Sequence, residues 1–131
     1  MNISVGAELP RFRIESVSPE AMKVWAVALH DPNPIHLDPA VVKTKGLGDR
    51  VINQGPANLA YIINMLKGAW PNGVITELEV RYVDNVYGGD AVEAGGSITA
   101  IVDKRISCDV WLRAEGRDLV IKGAAIVELA S

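Results

Sequence analysis

From Val74 onward, apolar and polar residues alternate with a period of two, Thr76, Leu78, Val80 and Tyr82 standing against Glu77, Glu79 and Arg81. That period belongs to strands with one buried face. It predicts four strands, roughly 74–83, 90–102, 105–114 and 118–129. The intervening Tyr87-Gly88-Gly89, Asp103-Lys104 and Glu115-Gly116-Arg117 are connections short enough for antiparallel hairpins. In the third strand Ile106, Cys108, Val110 and Leu112 share one face, and Ser107, Asp109 and Arg113 share the other. Trp111 lies among the polar set, which marks it as a candidate interface residue, and Gly95-Gly96 predicts a bulge or bend.

Before Val74 the period is helical. A short extended segment, Phe12 to Ile14, precedes Ser18-Pro19-Glu20, an N-cap followed by proline and an acid at the positive end of a helix dipole. The helix carries Met22, Val24, Trp25, Val27 and Leu29 and must turn at Asp31, because Asp31-Pro32-Asn33-Pro34 forbids continuation. Asp38-Pro39 repeats the cap-plus-proline signature and opens a short helix through Val42. Gly55-Pro56 opens the longest helix, Ala57 to Lys67, closed by Gly68 as the C-terminal glycine. It is apolar almost all round, with Asn58, Tyr61 and Asn64 as a thin polar line, so it must be covered on most sides. Helices first and antiparallel strands second predict a single α+β domain, residues 1–131, in which one sheet wraps a buried helix.

Composition narrows the partners. The chain of 131 residues is 49% apolar and carries a net charge of −3, with no run of Lys or Arg. It therefore lacks the electrostatic footprint of a nucleic-acid binder or of a polybasic membrane-surface protein. No stretch reaches the roughly 18 uninterrupted apolar residues of a membrane span, and the N-terminus shows no basic segment followed by an apolar core, so no secretory leader is expected. One cysteine and two histidines exclude a Cys/His-rich zinc site, and the lone Cys108 fits a reducing cytoplasm. A mean hydropathy of +0.17 is high for so small a domain and predicts an oligomer.

Both histidines fall within His30-Asp31-Pro32-Asn33-Pro34-Ile35-His36-Leu37-Asp38. The two prolines stiffen the loop, so Asp31, Asn33 and His36 are presented with little freedom, and a carboxylate and an imidazole at this spacing can converge on one water. Asp-Pro-Asn-Pro is equally ordinary turn chemistry, and capping accounts fully for Asp38. Gly55 begins a helix whose unpaired N–H groups and positive dipole face outward, a place where a developing oxyanion is stabilised. Pro56 has no N–H, which leaves the Gly55 amide as the donor. Gly-Pro is also simply a good helix start.

Asp31-x-Asn33-Pro34-x-His36-x-Asp38 resembles the D-x-N-P-x-H-x-D motif of MaoC-like, (R)-specific enoyl-CoA hydratases and dehydratases. Arg50-Val51-Ile52-Asn53-Gln54-Gly55 resembles the family's approach to its central-helix glycine, and Tyr82-Val83-x-x-Val86-x-x-Gly89-Asp90 its later aromatic-x-x-x-V-x-x-G-D stretch. The resemblance implies a hot-dog fold, a curved antiparallel sheet wrapped around a long helix, commonly dimeric by joining two sheets edge to edge. It implies reversible addition of water to a trans-2-enoyl thioester of CoA or an acyl-carrier protein, as in fatty acid metabolism, without metal or other cofactor. By matched position Asp31 and His36 activate the water, Asn33 orients the loop, and the Gly55 amide binds the thioester carbonyl. His30, Gln54, Asn58, Tyr61 and Arg50 are the expected substrate-binding residues.

The chain departs from the family at several places. His30 stands where a small residue, commonly Gly, is usual, Gln54 where His often precedes the helix glycine, and Asp84-Asn85 where a basic-Pro pair is frequent. Ile63 occupies the position of a helix serine found in some hydratases, which keeps open a non-catalytic or specificity-setting subunit of a heteromer. A thioesterase on the same fold is a third reading. Lys43, Lys45, Arg50, Lys67 and Arg81 are candidate cations for CoA phosphates, and equally solvated surface charges.

Overall fold

The computed structural model describes residues 3–130; the expected domain bounds at 1 and 131 and the first two residues of the N-terminus lie outside them. The local signals fold as their chemistry dictates. Phe12–Ile14 forms β1. Ser18 Oγ accepts from the Ala21 N–H at 3.1 Å and starts α1, Pro19–Ala28. Asp38 Oδ1 accepts from the Ala40 N–H at 2.9 Å and starts α2, Pro39–Thr44. The central helix, α3, spans Gly55–Ala69 and buries Ala57, Asn58, Ile62, Met65 and Leu66.

Gly68 does not close α3 as expected. It lies inside the helix with no positive φ, and the chain leaves the helix at Trp70 (φ −136°, ψ 82°), outside the α region that the following Pro71 disfavours. A Cβ at position 68 would meet nothing within 4 Å. Gly68→Ala is therefore expected to stabilise the protein by about 0.5–1 kcal/mol, read as a higher urea midpoint at unchanged slope.

Four longer strands follow: β2 (Val74–Tyr82), β3 (Val92–Val102), β4 (Arg105–Ala114) and β5 (Leu119–Glu128). The sheet order is β1-β3-β4-β5-β2, with every pair antiparallel. β3, β4 and β5 form the expected meander. β2 does not hairpin with β3 but crosses to the far edge and pairs with β5. The connection is unavailable for a hairpin because its backbone is bonded elsewhere: Val86 to Asn53, Gly88 to Val51 and Gly89 to Val17.

The bulges also fall elsewhere than expected. Gly95 and Gly96 sit in unbroken register opposite Trp111 and Val110, and the irregularity in β3 lies between Ile98 and Ala100. Glycine is needed there for close approach, since a Cβ would run into the Trp111 ring at Gly95 and the Asp109 carbonyl at Gly96. The half-buried Trp111 ring lies under the Arg113 and Arg11 guanidiniums, 4.5 and 5.4 Å from its centroid. A second irregularity makes Thr76 the extra residue of β2, so Ile75, Leu78 and Val80 turn inward and Thr76 is exposed.

The concave face of the sheet, with Ala94, Ile98, Ile106, Cys108, Val110, Leu112, Ile121, Ala125 and Val127, closes on Ile62, Met65 and Leu66 of α3. Burial pushes the Cys108 thiol up to about 11, with Asp109 adding to the effect, so the thiol is held protonated in the core. This is the hot-dog arrangement. It leaves two features that concern the site: the start of α3 at one end of the sheet, and the outer edge of β2, unpaired among the described residues.

Candidate active site

The site begins at the end of α1. The Asp31 N–H donates to the Ala26 carbonyl at 2.9 Å and the His30 N–H to the Val27 carbonyl at 3.2 Å, a Schellman closure with His30 in the left-handed conformation at φ 50°. Glycine adopts that conformation most cheaply, which accounts for the small residue usual at this place in the family resembled. Pro32 then carries the chain away, and Asp31 leaves the helix in a fixed direction. Its Oδ1 accepts from the Asn33 N–H at 3.2 Å, while Asn33 Oδ1 accepts from the Ile35 N–H at 3.2 Å and caps a single 3-10 turn, Pro34–His36. Two successive side-chain caps and two prolines thus deliver His36 back toward Asp31.

The two side chains meet, with His36 Nε2 3.3 Å from Asp31 Oδ2. The imidazole is 8% exposed, and its other nitrogen, Nδ1, lies 2.6 Å from the Ile52 carbonyl. A carbonyl only accepts, so Nδ1 carries the proton and Nε2 is presented to Asp31. Nε2 of the neutral ring and an ionised Oδ2 are both acceptors. They can share one proton, or together take a hydrogen bond and then a proton from a common water. The Asp31 side chain keeps 38% of its exposure, so the pair is anchored on the imidazole side and open on the carboxylate side.

The carbonyl that orients His36 belongs to the segment leading into α3. The Ile52 N–H donates to the Ile35 carbonyl at 2.9 Å and the Asn53 N–H to the Val86 carbonyl at 2.7 Å. The Gln54 carbonyl then receives both the Ala57 and the Asn58 N–H at 3.1 Å, and Pro56 has no N–H. Among the described residues, the Gly55 N–H is left without a protein partner at the positive end of a 15-residue helix. Its φ is not positive, and a Cβ at 55 would meet only the Tyr82 ring at an ordinary 3.5 Å, so neither conformation nor packing within the chain demands glycine there. Tyr82 Oη donates to the Gly55 carbonyl at 3.3 Å, and partial burial raises its phenol above the ordinary range.

The remaining expected site residues separate. Asn58 and Tyr61 come together under the start of α3, where Asn53 Nδ2 donates to Asn58 Oδ1 at 2.7 Å and to Tyr61 Oη at 3.1 Å. Burial raises the Tyr61 phenol, the Asn53 bond opposes this, and the phenol stays protonated with its own O–H free to donate. Gln54 is fully buried and turned to α1, its Nε2 donating to the Met22 carbonyl at 2.8 Å while Oε1 finds no partner among the described residues. Arg50 points away to Asp90, and the His30 side chain is exposed. Spacing alone did not single out Asn53, the Ile52 carbonyl or Tyr82, although Ile52 and Asn53 lie in the segment that resembles the family's approach to the helix glycine and Tyr82 holds the aromatic position before Val86 and Gly89-Asp90.

An apolar groove of about 380 Å³, lined by Lys23, Ala26, Val27, Pro32 and Leu37, flanks the loop that bears the pair. Among the described residues no group of three or more His, Cys, Asp or Glu is placed to hold a metal ion, and no helix is long and apolar enough to cross a membrane.

Solved structures with this architecture include an (R)-hydratase from A. caviae involved in PHA biosynthesis, at 23% identity, TM-score 0.89 and 99% coverage of both chains. They include the unliganded R-hydratase PhaJ1 from Pseudomonas aeruginosa, at 20% identity and TM-score 0.87, covering 98% of this chain and 83% of that one. The ChsH1-ChsH2 complex from Mycobacterium tuberculosis has a similar chain at 20% identity and TM-score 0.86, with 98% and 100% covered. Such identities speak to the fold. No curated protein sequence matches the chain significantly. The sequence of residues 5–113 matches the family described as the MaoC like domain, over a stretch that holds the Asp31–His36 loop and the start of α3. This chain therefore belongs to the MaoC-like domain family.

Proposed function

We propose that the protein is an (R)-specific enoyl-thioester hydratase, or in reverse a 3-hydroxyacyl-thioester dehydratase. The observation that carries the reading is the facing pair, His36 Nε2 and Asp31 Oδ2 at 3.3 Å, with the imidazole's other nitrogen locked on the Ile52 carbonyl. A water at the pair's open side gives up a proton to it as its oxygen bonds to C3 of the trans-2-enoyl group. The C2=C3 pair of electrons moves toward the thioester carbonyl, whose oxygen takes on negative charge. The Gly55 N–H, free and at the helix's positive end, donates to that oxygen. C2 then takes the proton from the pair, and the two hydrogens and one oxygen of water are all in the product. Asn33 acts through the turn it caps, which sets where His36 stands.

Asn58, Tyr61 and the apolar α3 surface form the acyl side of the site, and the exposed His30 the side of the carrier, CoA or an acyl-carrier protein, while Arg50 is engaged by Asp90. The free edge of β2, with Val74 and Tyr82 62% and 48% exposed, supports pairing with a second hot-dog chain. That chain is a copy in a homodimer or a different subunit in a heteromer. The latter reading is favoured by Ile63 in the serine position and by the resemblance to a chain of a two-protein complex. The protected single thiol suits the cytoplasm.

The deciding experiment follows enoyl-thioester absorbance with short, long and bulky trans-2-enoyl-CoA substrates. Hydration removes the absorbance without releasing thiol. Thiol release in its place would make the protein a thioesterase, and absence of turnover with every substrate, until a second hot-dog chain is supplied, would make it a subunit.

A further inference from the structure

Asp90 lies outside the site but governs the segment that builds it. Its carboxylate is 10% exposed and is engaged three times: Oδ1 by Arg50 Nη1 at 3.0 Å, and Oδ2 by Arg117 Nη2 at 2.6 Å and by the Tyr87 N–H at 2.9 Å. The two guanidiniums also lie over the Tyr87 ring, 5.3 and 5.2 Å from its centroid, and Arg50 Nη1 donates to the Gly88 carbonyl at 3.1 Å. Tyr87 Oη is held by the Leu47 carbonyl at 3.0 Å.

This cluster shapes residues 86–88, and those residues hold residues 51–53. Gly88 N–H donates to the Val51 carbonyl at 2.8 Å, Ile52 bridges Tyr87, and the Asn53 N–H meets the Val86 carbonyl at 2.7 Å. Two residues farther on is the free Gly55 amide, and Ile52 supplies the carbonyl that fixes the His36 tautomer. The imidazole of the pair and the amide donor therefore hang from one short segment, clamped from its far side by Asp90 between two arginines. A buried carboxylate with two charge-assisted partners is a stiff joint, because each of its bonds is strong and directional.

We infer that Asp90, with Arg117, is a positioning residue that sets the His36 ring and the Gly55 amide in mutual register. The inference rests on the hydratase reading of the site for its kinetic consequence, but not for its effect on the imidazole.

The test compares the wild type with Asp90→Asn, Arg117→Gln and Arg117→Lys, using kcat and KM on whichever enoyl-CoA the wild type hydrates. It adds ¹⁵N shifts of the imidazole nitrogens, which are readily assigned because the chain has only two histidines. Misplacing reacting groups by a fraction of an ångström lowers turnover more than binding. The expected result is a fall in kcat of about tenfold or more with KM within about twofold, and His36 shifts that move away from the pure Nδ1–H tautomer. Arg117→Lys should recover part of both. If Asp90→Asn does not fold, the two Arg117 variants decide. Folded variants with unchanged kcat, or with a lower kcat but unmoved His36 shifts, would overturn the inference. Should the wild type alone hydrate no enoyl-CoA, the kinetic readout is lost, and the His36 shifts by themselves confirm or overturn the clamp.

Discussion

Replacing His36 with Ala is expected to lower kcat for enoyl-thioester hydration by about 10²–10⁴-fold, the range typical of losing a general acid or base, while the fold is retained. Among the described residues the ring's polar contacts are the Ile52 carbonyl and Asp31, and the backbone contact from the Ile52 N–H to the Ile35 carbonyl survives its removal. Asp31→Asn is expected to fall into the same range. It is the cleaner variant, because an asparagine oxygen still accepts the Asn33 N–H that shapes the loop, and only the ability to take a proton is lost. On the proposed mechanism the two groups act on one proton, so the double variant should be little worse than the poorer single one; effects of residues acting as a unit do not multiply. Steady-state kinetics of all three, beside near-UV circular dichroism, check this. Multiplied losses would mean that the two side chains act on separate steps.

Ile62→Ala is expected to cost about 3 kcal/mol of stability, within the range for emptying a buried Ile site. Ile62 is fully buried on the face of α3 that fills the concave sheet, and close-packed neighbours on strands and helix relax only partly into the space left. For a domain of this size the thermal midpoint should drop by about 10 °C. Asn64→Ala, on the exposed side of the same helix, should change stability by no more than about 0.5 kcal/mol. Equal effects at the two positions in a thermal melt would show that the sheet does not enclose α3 as described. The same helix presents Gly55, so the Ile62 variant should also lose hydration activity at temperatures where the parent still works.

The loop from Asp31 to His36 was legible in the chain because its determinants are local. Pro32 and Pro34 fix the backbone, the caps at Ser18 and Asp38 bond amides two or three residues away, and a resemblance to a known motif lent the pair a role. β1 and α1 were legible for the same reason, as were the extents of β2 to β5 to within two residues. Gly68 was misread because glycine is a frequent helix stop, while here Pro71 sets the stop instead. The β2–β3 hairpin was misread because a short glycine-bearing connection is a local signal, and it lost to backbone bonds made with residues 17, 51 and 53.

The sequence by itself determined which segments are helix and strand, which face of β4 is buried, and that Asp31 and His36 share one stiff loop; the bulge at Thr76 moved the inward set of β2 to Ile75, Leu78 and Val80. Periodicity, caps and prolines act within a few residues and need no partner. Only the tertiary structure decided that β2 crosses to β5 and that the Ile52 carbonyl fixes the imidazole. The same holds for Gln54, turned into the core while Asn53 joins Asn58 and Tyr61, and for Asp90, which ties Arg50 and Arg117 from 40 and 27 residues away. Those outcomes depend on which distant groups collapse together, and a pairwise contact across the chain leaves no trace in the spacing of either partner.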